Sequence, residues 1–234
     1  MPGPEADYLS QLRVTVRPAN QVSFQDIQTV FGPKGGGGSA HYCQCQRFKT
    51  PSSQWWDEQQ SRVPVPARAR RLYDESGFAD PDAAQTSGLV AFAGREPVGW
   101  CRVGPRSTYL RLGRVPFTGR TEDRKDERAW AAVCFITRAE YRHHRLTYRL
   151  VQAAVDFAHA RGASAIEGYP MVPEPGHTVT WGELSVGKYT AFVAAGFREV
   201  SHPTLRRVVM RIDFEGDTRT ASERADVRAA GDPA

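Results

Sequence analysis

Residues 130–136, WAAVCFI, are seven apolar side chains in a row. A run so short and without polar alternation suits a strand covered on both faces. Further on, Leu146, Leu150, Ala153, Ala154 and Phe157 recur at three- and four-residue steps, and Gly162 suits the C-terminal cap of the helix they predict. The segment SAIEGYP then returns as a strand that ends at a proline. Strand, helix and strand in so short a span make a βαβ unit, because two parallel strands need a crossover and its right-handed sense lays the helix on the sheet.

The remaining segments add mostly antiparallel strands. LRVTVRP (12–18) alternates like a half-buried strand, and Ser23 is placed to cap a helix through FQDIQTVF that stops at Gly32 and Pro33. GPKGGGGSAHYCQCQ reads as a flexible loop, since five glycines fall within residues 32–38. Residues 67–77 suit a helix with Arg68, Arg70 and Arg71 solvated and Leu72 inward. GLVAFAGREPVGWCRVGP is a hairpin in which Val98, Trp100 and Arg102 alternate with Gly99, Cys101 and Val103. GRTEDRKDER is a solvated mixed-charge loop. ELSVGKYTAFVAAGF reads as a last helix, and EVSHPTLRRVVMRIDF as two closing strands. The division is a flexible N-terminus (1–11), one α/β domain (12–214) and a disordered tail (215–234) of little apolar content.

Five Trp, eight Tyr and eleven Phe supply an ordinary globular core. The net charge of +5 comes from 31 Lys and Arg against 26 Asp and Glu, so acids are mixed throughout and the pull toward polyanions is weak. PARARR and RHHR are the only basic clusters a nucleic-acid module could use, and neither stands beside a recognition helix or an aromatic strand. No secretory signal and no apolar stretch long enough to span a membrane is visible, and four cysteines make no disulfide framework. The expectation is a soluble cytoplasmic protein. Cys43 and Cys45, with His41 nearby, lack the second pair that a zinc site needs, so no metal is expected.

Arg142, His143, His144 and Arg145 stand where the crossover helix begins, although positive charge is unfavourable at that end of the helix dipole. An anion bound by the free amides near Arg145, Leu146 and Thr147 would resolve the conflict.

The order hairpin, apolar strand, YRHHRLT, amphipathic helix, SAIEGYP and FVAAGF resembles the GNAT superfamily of acyl-CoA-dependent N-acyltransferases, most strongly over residues 130–197. The GYP and ELxVG segments look like one bacterial branch of it. In the family's pyrophosphate loop, Arg142 matches the first position, whereas Arg145 and Thr147 stand where glycine, and glycine or alanine, are usual.

The resemblance implies a GNAT-like mixed sheet with a central parallel pair flanked by helices. It also implies acetyl transfer from acetyl-CoA to a primary amine of a small molecule such as an aminosugar or antibiotic, by direct attack in a ternary complex. Cys134, Phe135 and Ile136 would offer backbone to the pantetheine arm, an amide among them polarising the thioester carbonyl. Arg142, His143, His144, Arg145, Leu146 and Thr147 would hold the phosphates, and Phe192 completes the cofactor set. Phe192 also occupies the place of the family's usual acid tyrosine, which leaves Tyr189 as the nearest hydroxyl, with packing as its alternative. Glu183 and Glu167 are the candidate bases, or else surface and capping residues. The segments HYCQCQRF and QWW, with Cys43, Cys45, Trp55 and Trp56, are expected in the acceptor wall or in the core. Two rival readings are a non-catalytic acyl-CoA binder on the same fold and a nucleic-acid-binding module.

Overall fold

The computed structural model describes residues 13–32, 38–55, 63–78, 80, 83, 86–112, 125–172 and 184–214. The glycine run at 33–37, most of the mixed-charge loop, both termini, Trp56 and Glu183 lie outside the described residues. The strands are β1 (Val14–Pro18), β2 (Gly88–Ala93), β3 (Glu96–Pro105), β4 (Ala129–Thr137), β5 (Ala165–Gly168), β6 (Arg198–Thr204) and β7 (Arg207–Asp213). They form one seven-stranded sheet in the order β1-β2-β3-β4-β5-β7-β6. Only β4 and β5 run parallel; the other neighbouring pairs are antiparallel. This is the expected mixed α/β architecture with its parallel pair inside the sheet.

The helices are α1 (Phe24–Phe31), α2 (Gly38–Cys43), α3 (Val65–Ser76), α4 (Leu146–Ala160) and α5 (Tyr189–Ala194). A capping box starts α1: Ser23 Oγ accepts from the Asp26 amide and the Asp26 carboxylate accepts from the Ser23 amide, each at 3.1 Å. The crossover helix α4 buries Leu146, Leu150, Val151, Ala154, Val155 and Ala158. It sits close on β3 because Gly99 has no side chain: a Cβ there would lie 3.0 Å from Leu146 Cδ2 and 3.3 Å from Leu150 Cδ1.

The sheet separates two cores. Trp130, Ala132 and Phe135 face α4 and α5, while Ala131, Val133, Cys134 and Ile136 face the core that holds α1 and Leu72 of α3. Two neighbours on β4, Val133 and Cys134, therefore share a face. The β3–β4 register explains it: Arg102 pairs with Val133 and Trp100 with Ile136, so Cys134 and Phe135 together oppose Cys101 in a β-bulge.

Four local expectations are corrected. Residues 38–43 are helical instead of loop. Arg68 is buried, not solvated, and donates to the Tyr42 carbonyl at 2.7 Å. The last helix begins at Tyr189: Leu184 is helical, residues 185 and 186 are a turn, and Lys188 bridges to Met171. Val98 faces the same core as Cys101 and Val103, because a register shift after Ala91 interrupts the alternation of the hairpin.

Candidate functional site

The parallel pairing of β4 with β5 ends at Ala132 and Gly168. Beyond it the chain after β5 bridges through Met171 to Arg207 and to Lys188, and the Phe135 amide donates to the Ser185 carbonyl at 2.6 Å. The segment 184–188 thus stands beside the second half of β4. At this divergence lies a cavity of about 870 Å³.

Three walls meet there. One is β4 beyond Val133, with Cys134, Phe135, Ile136 and Thr137. The second is the strand-to-helix turn and the start of α4, with Arg142, His143, Arg145, Leu146 and Thr147. The third comes from the N-terminal half of the chain, with Tyr42, Cys43, Arg47, Phe48 and Trp55. Segment 184–188 adds Leu184, Ser185 and Lys188.

The turn is held from outside by one carboxylate. Glu96, at the start of β3, accepts from Tyr141 Oη at 2.6 Å and from Arg138 Nη1 at 2.6 Å. These bonds, Tyr141's first, hold the Glu96 carboxyl below its ordinary range, and the same bond pushes the Tyr141 hydroxyl up to about 12. Within the turn, His143 and Arg145 adopt left-handed backbone with φ of 69° and 56°, whereas His144 between them does not. Alternation of this kind brings successive amides onto one side, as in anion-binding nests. Arg145 is also the N-cap of α4 and supplies no side-chain cap, and no acid stands in the first turn. The positive helix end is therefore left for an outside anion. The Arg145 guanidinium stacks 4.6 Å above the Tyr148 ring.

Beneath the third wall lies a buried thiol. Cys45 Sγ accepts from Trp100 Nε1 at 3.3 Å, and the Cys45 carbonyl accepts from Arg102 at 3.0 Å. Burial works against a Cys45 thiolate, but a hydrogen bond with Cys134 and the charge of Arg102 outweigh it and lower the pKa. The bond with Cys45, and then burial, push the Cys134 thiol well up.

The expected site residues separate accordingly. Cys43, Trp55, Cys134, Phe135, Ile136, Arg142, His143, Arg145, Leu146 and Thr147 share the cavity. His144 belongs to the turn but not to the cavity wall, and Cys45 lies behind Cys134. Glu167 is buried in a different place, where its carboxylate accepts from Arg106 and Arg211 at 2.8 Å each and from Tyr169 Oη at 2.7 Å. Tyr189 Oη donates to Glu199 at 2.6 Å, away from the cavity wall. Phe192 is fully buried between Phe135 and Phe197, with ring centroids 5.6 and 5.0 Å away. Arg47 and Phe48 lie in the segment HYCQCQRF expected in the acceptor wall, while sequence reasoning missed Tyr141, Arg111 and Lys188 as cavity residues. Tyr141 directly precedes the basic cluster and was legible there. Arg111 was not, since its amide bond to the Phe48 carbonyl at 3.2 Å joins it to the third wall from far along the chain.

No family model matches the chain, and no curated protein matches its sequence. Among solved structures, a candidate acetyltransferase of Salmonella typhimurium, YncA, bound to its cofactor acetyl-CoA, is 10% identical, with 89% of this chain and 98% of that one covered at a TM-score of 0.50. An uncharacterised protein of Bacillus halodurans is 14% identical over 88% and 86% of the two chains at 0.46. The PaiA N-acetyltransferase of Thermoplasma acidophilum, in complex with coenzyme A, is 13% identical over 87% and 100% at 0.44. The mixed sheet with one parallel pair and flanking helices is the GNAT fold. No described helix is long and apolar enough to cross a membrane.

Proposed function

We propose that the chain is an N-acetyltransferase that moves an acetyl group from acetyl-CoA to a primary amine of a small molecule by direct attack in a ternary complex. The observation that carries this reading is the single cavity joining the uncapped, basic start of α4 to the bulged end of β4 and to a separate aromatic wall. Acetyl-CoA, when bound, supplies the thioester that the amine attacks. For its phosphates the chain offers the amides at Arg145, Leu146 and Thr147 and the guanidiniums of Arg142 and Arg145. β4 offers backbone at Cys134 and Ile136, and the N-terminal wall bounds the space left for an acceptor. Glu183 and Tyr189 flank the wall segment 184–188 in sequence and are the groups proposed to move protons. The ion pairs of Glu167 support a structural role for it.

One group of observations favours the second reading, a binder without turnover. The Phe135 amide is already bonded to Ser185, the Tyr189 hydroxyl is engaged by Glu199, and Phe192 carries no hydroxyl. Calorimetric titration with acetyl-CoA tests the site common to both readings. Arg142→Ala and Arg145→Ala are each expected to weaken binding about tenfold, the worth of one charge-assisted phosphate contact. No binding to the intact protein sinks both readings. Thiol release with any amine separates the enzyme from the binder.

A further inference from the structure

We infer that the acceptor carries a carboxylate beside its amine, as an amino acid does, and that Arg47 and Arg111 recognise that carboxylate. The inference rests on the transferase reading of the cavity and deepens it. The charged side chains lining the cavity are Arg47, Arg111, Arg142, Arg145 and Lys188, together with the titratable His143, and among the described lining residues there is no Asp or Glu.

The cations fall into separate groups. Arg142 and Arg145 belong to the turn at α4, where the phosphates are proposed to sit. Arg47 and Arg111 belong to the N-terminal wall, whose Cys45 and Phe48 pack in the core on the sheet face away from α4. The Arg111 amide is tied to that wall by its bond to the Phe48 carbonyl. A second cationic pair at the acceptor end has no use in phosphate binding from that wall, yet it suits a carboxylate, whose two oxygens match the guanidinium fork.

The same lining opposes the aminosugar and antibiotic acceptors expected from the sequence. An acceptor with several ammonium groups would enter a space of like charge and find no described carboxylate to pair with. An acceptor with one amine and one carboxylate brings its own counter-charge. Tyr42, Phe48 and Trp55 then offer apolar surface to the rest of it. The surrounding cations also lower the pKa of the acceptor's ammonium, because a like charge disfavours the charged form. They thereby enlarge the neutral fraction that can attack, which is part of the work of a general base.

The test is steady-state thiol release from acetyl-CoA with the common L-amino acids, the C-terminal amide of each, spermidine and glucosamine. At least one amino acid is expected to exceed its own amide in kcat/KM by about tenfold or more. Arg47→Ala should raise the KM for that amino acid about tenfold, leave the KM for acetyl-CoA in place, and be partly rescued by Arg47→Lys. Arg47 is exposed, so these variants leave the core untouched. Amides, spermidine or glucosamine used as well as the best amino acid would overturn the inference while leaving the transferase intact. Absence of turnover with every amine would overturn it too. Acetyl-CoA calorimetry on the same preparation then tells whether the cofactor site has failed with it.

Discussion

Arg145 concentrates the tension of this chain in one residue. Its left-handed backbone costs an L-residue about 1–2 kcal/mol and costs glycine almost nothing. In return the position carries a guanidinium at the edge of the cavity, stacked on Tyr148. Arg145→Gly relieves the backbone and Arg145→Ala does not, so by chemical denaturation the glycine variant should be about 1 kcal/mol more stable than the alanine variant. Both should bind acetyl-CoA more weakly than the parent. Equal stability of the two variants would mean that residue 145 is not held left-handed in solution. The sequence already showed Arg145 standing where glycine is usual. That its backbone nonetheless takes a glycine-like conformation was not legible, because side-chain identity argues against it.

At the scale of elements, the βαβ unit places the cavity and Phe192 packs behind its Phe135 wall. The parallel strands stop pairing at Gly168, and the Phe192 ring rests on that glycine: a Cβ there would lie 2.0 Å from Phe192 Cε1. Gly187, with φ of 96°, makes room for the same ring from the other side. Gly168→Ala must push Phe192 toward Phe135 on β4, and overpacking of this kind costs about 1–3 kcal/mol. The denaturant midpoint should fall accordingly, and because Phe135 lines the cavity, acetyl-CoA affinity should fall with it. A loss of stability without a loss of affinity would uncouple α5 from the site. The position of α5 in sequence was legible from its FVAAGF pattern, but its start was not. Residues 185–188 look helix-compatible in isolation, yet Ser185 and Lys188 are drawn into bonds with Phe135 and Met171.

Across the whole molecule, the N-terminal wall is attached to the sheet through buried charge. Arg102 of β3 is fully buried, pairs with Glu75 of α3 and holds the Cys45 carbonyl. Lys49 lies close by, its ammonium 5.0 Å from the Tyr109 ring. Burial, and then the charge of Arg102, lower its pKa from 10.5 to about 8. Below pH 8 both folded and unfolded chains carry this proton, and the folded chain bears the full penalty of holding it. Between about pH 8 and 10 the unfolded chain binds more protons at this site, so the contribution of Lys49 to stability should rise with pH. Cys43, Cys101 and Cys134 act the other way, since burial, preceded for Cys134 by its bond with Cys45, keeps their thiols protonated in the folded chain while unfolded thiols ionise. Above pH 10 stability should fall, as unfolded tyrosines ionise while Tyr141 keeps its proton to about 12 and gives up its bond to Glu96 beyond that. Denaturation midpoints of the parent and of Lys49→Met at pH 7, 8, 9 and 10 check the Lys49 contribution: the stability of the parent relative to the variant should rise over that range. A difference between the two that does not change with pH would place Lys49 in water. By itself the sequence determined the βαβ unit, the hairpins and the basic turn, because hydrophobic period, caps and turn residues act within a few neighbours. Only the tertiary structure decided that Arg68 is buried, that Glu167 is bound by two arginines, and that Arg47 and Arg111 line the same cavity as Arg142. Those contacts join residues far apart in the chain, and they follow from strand order and a bulge whose register no local pattern encodes.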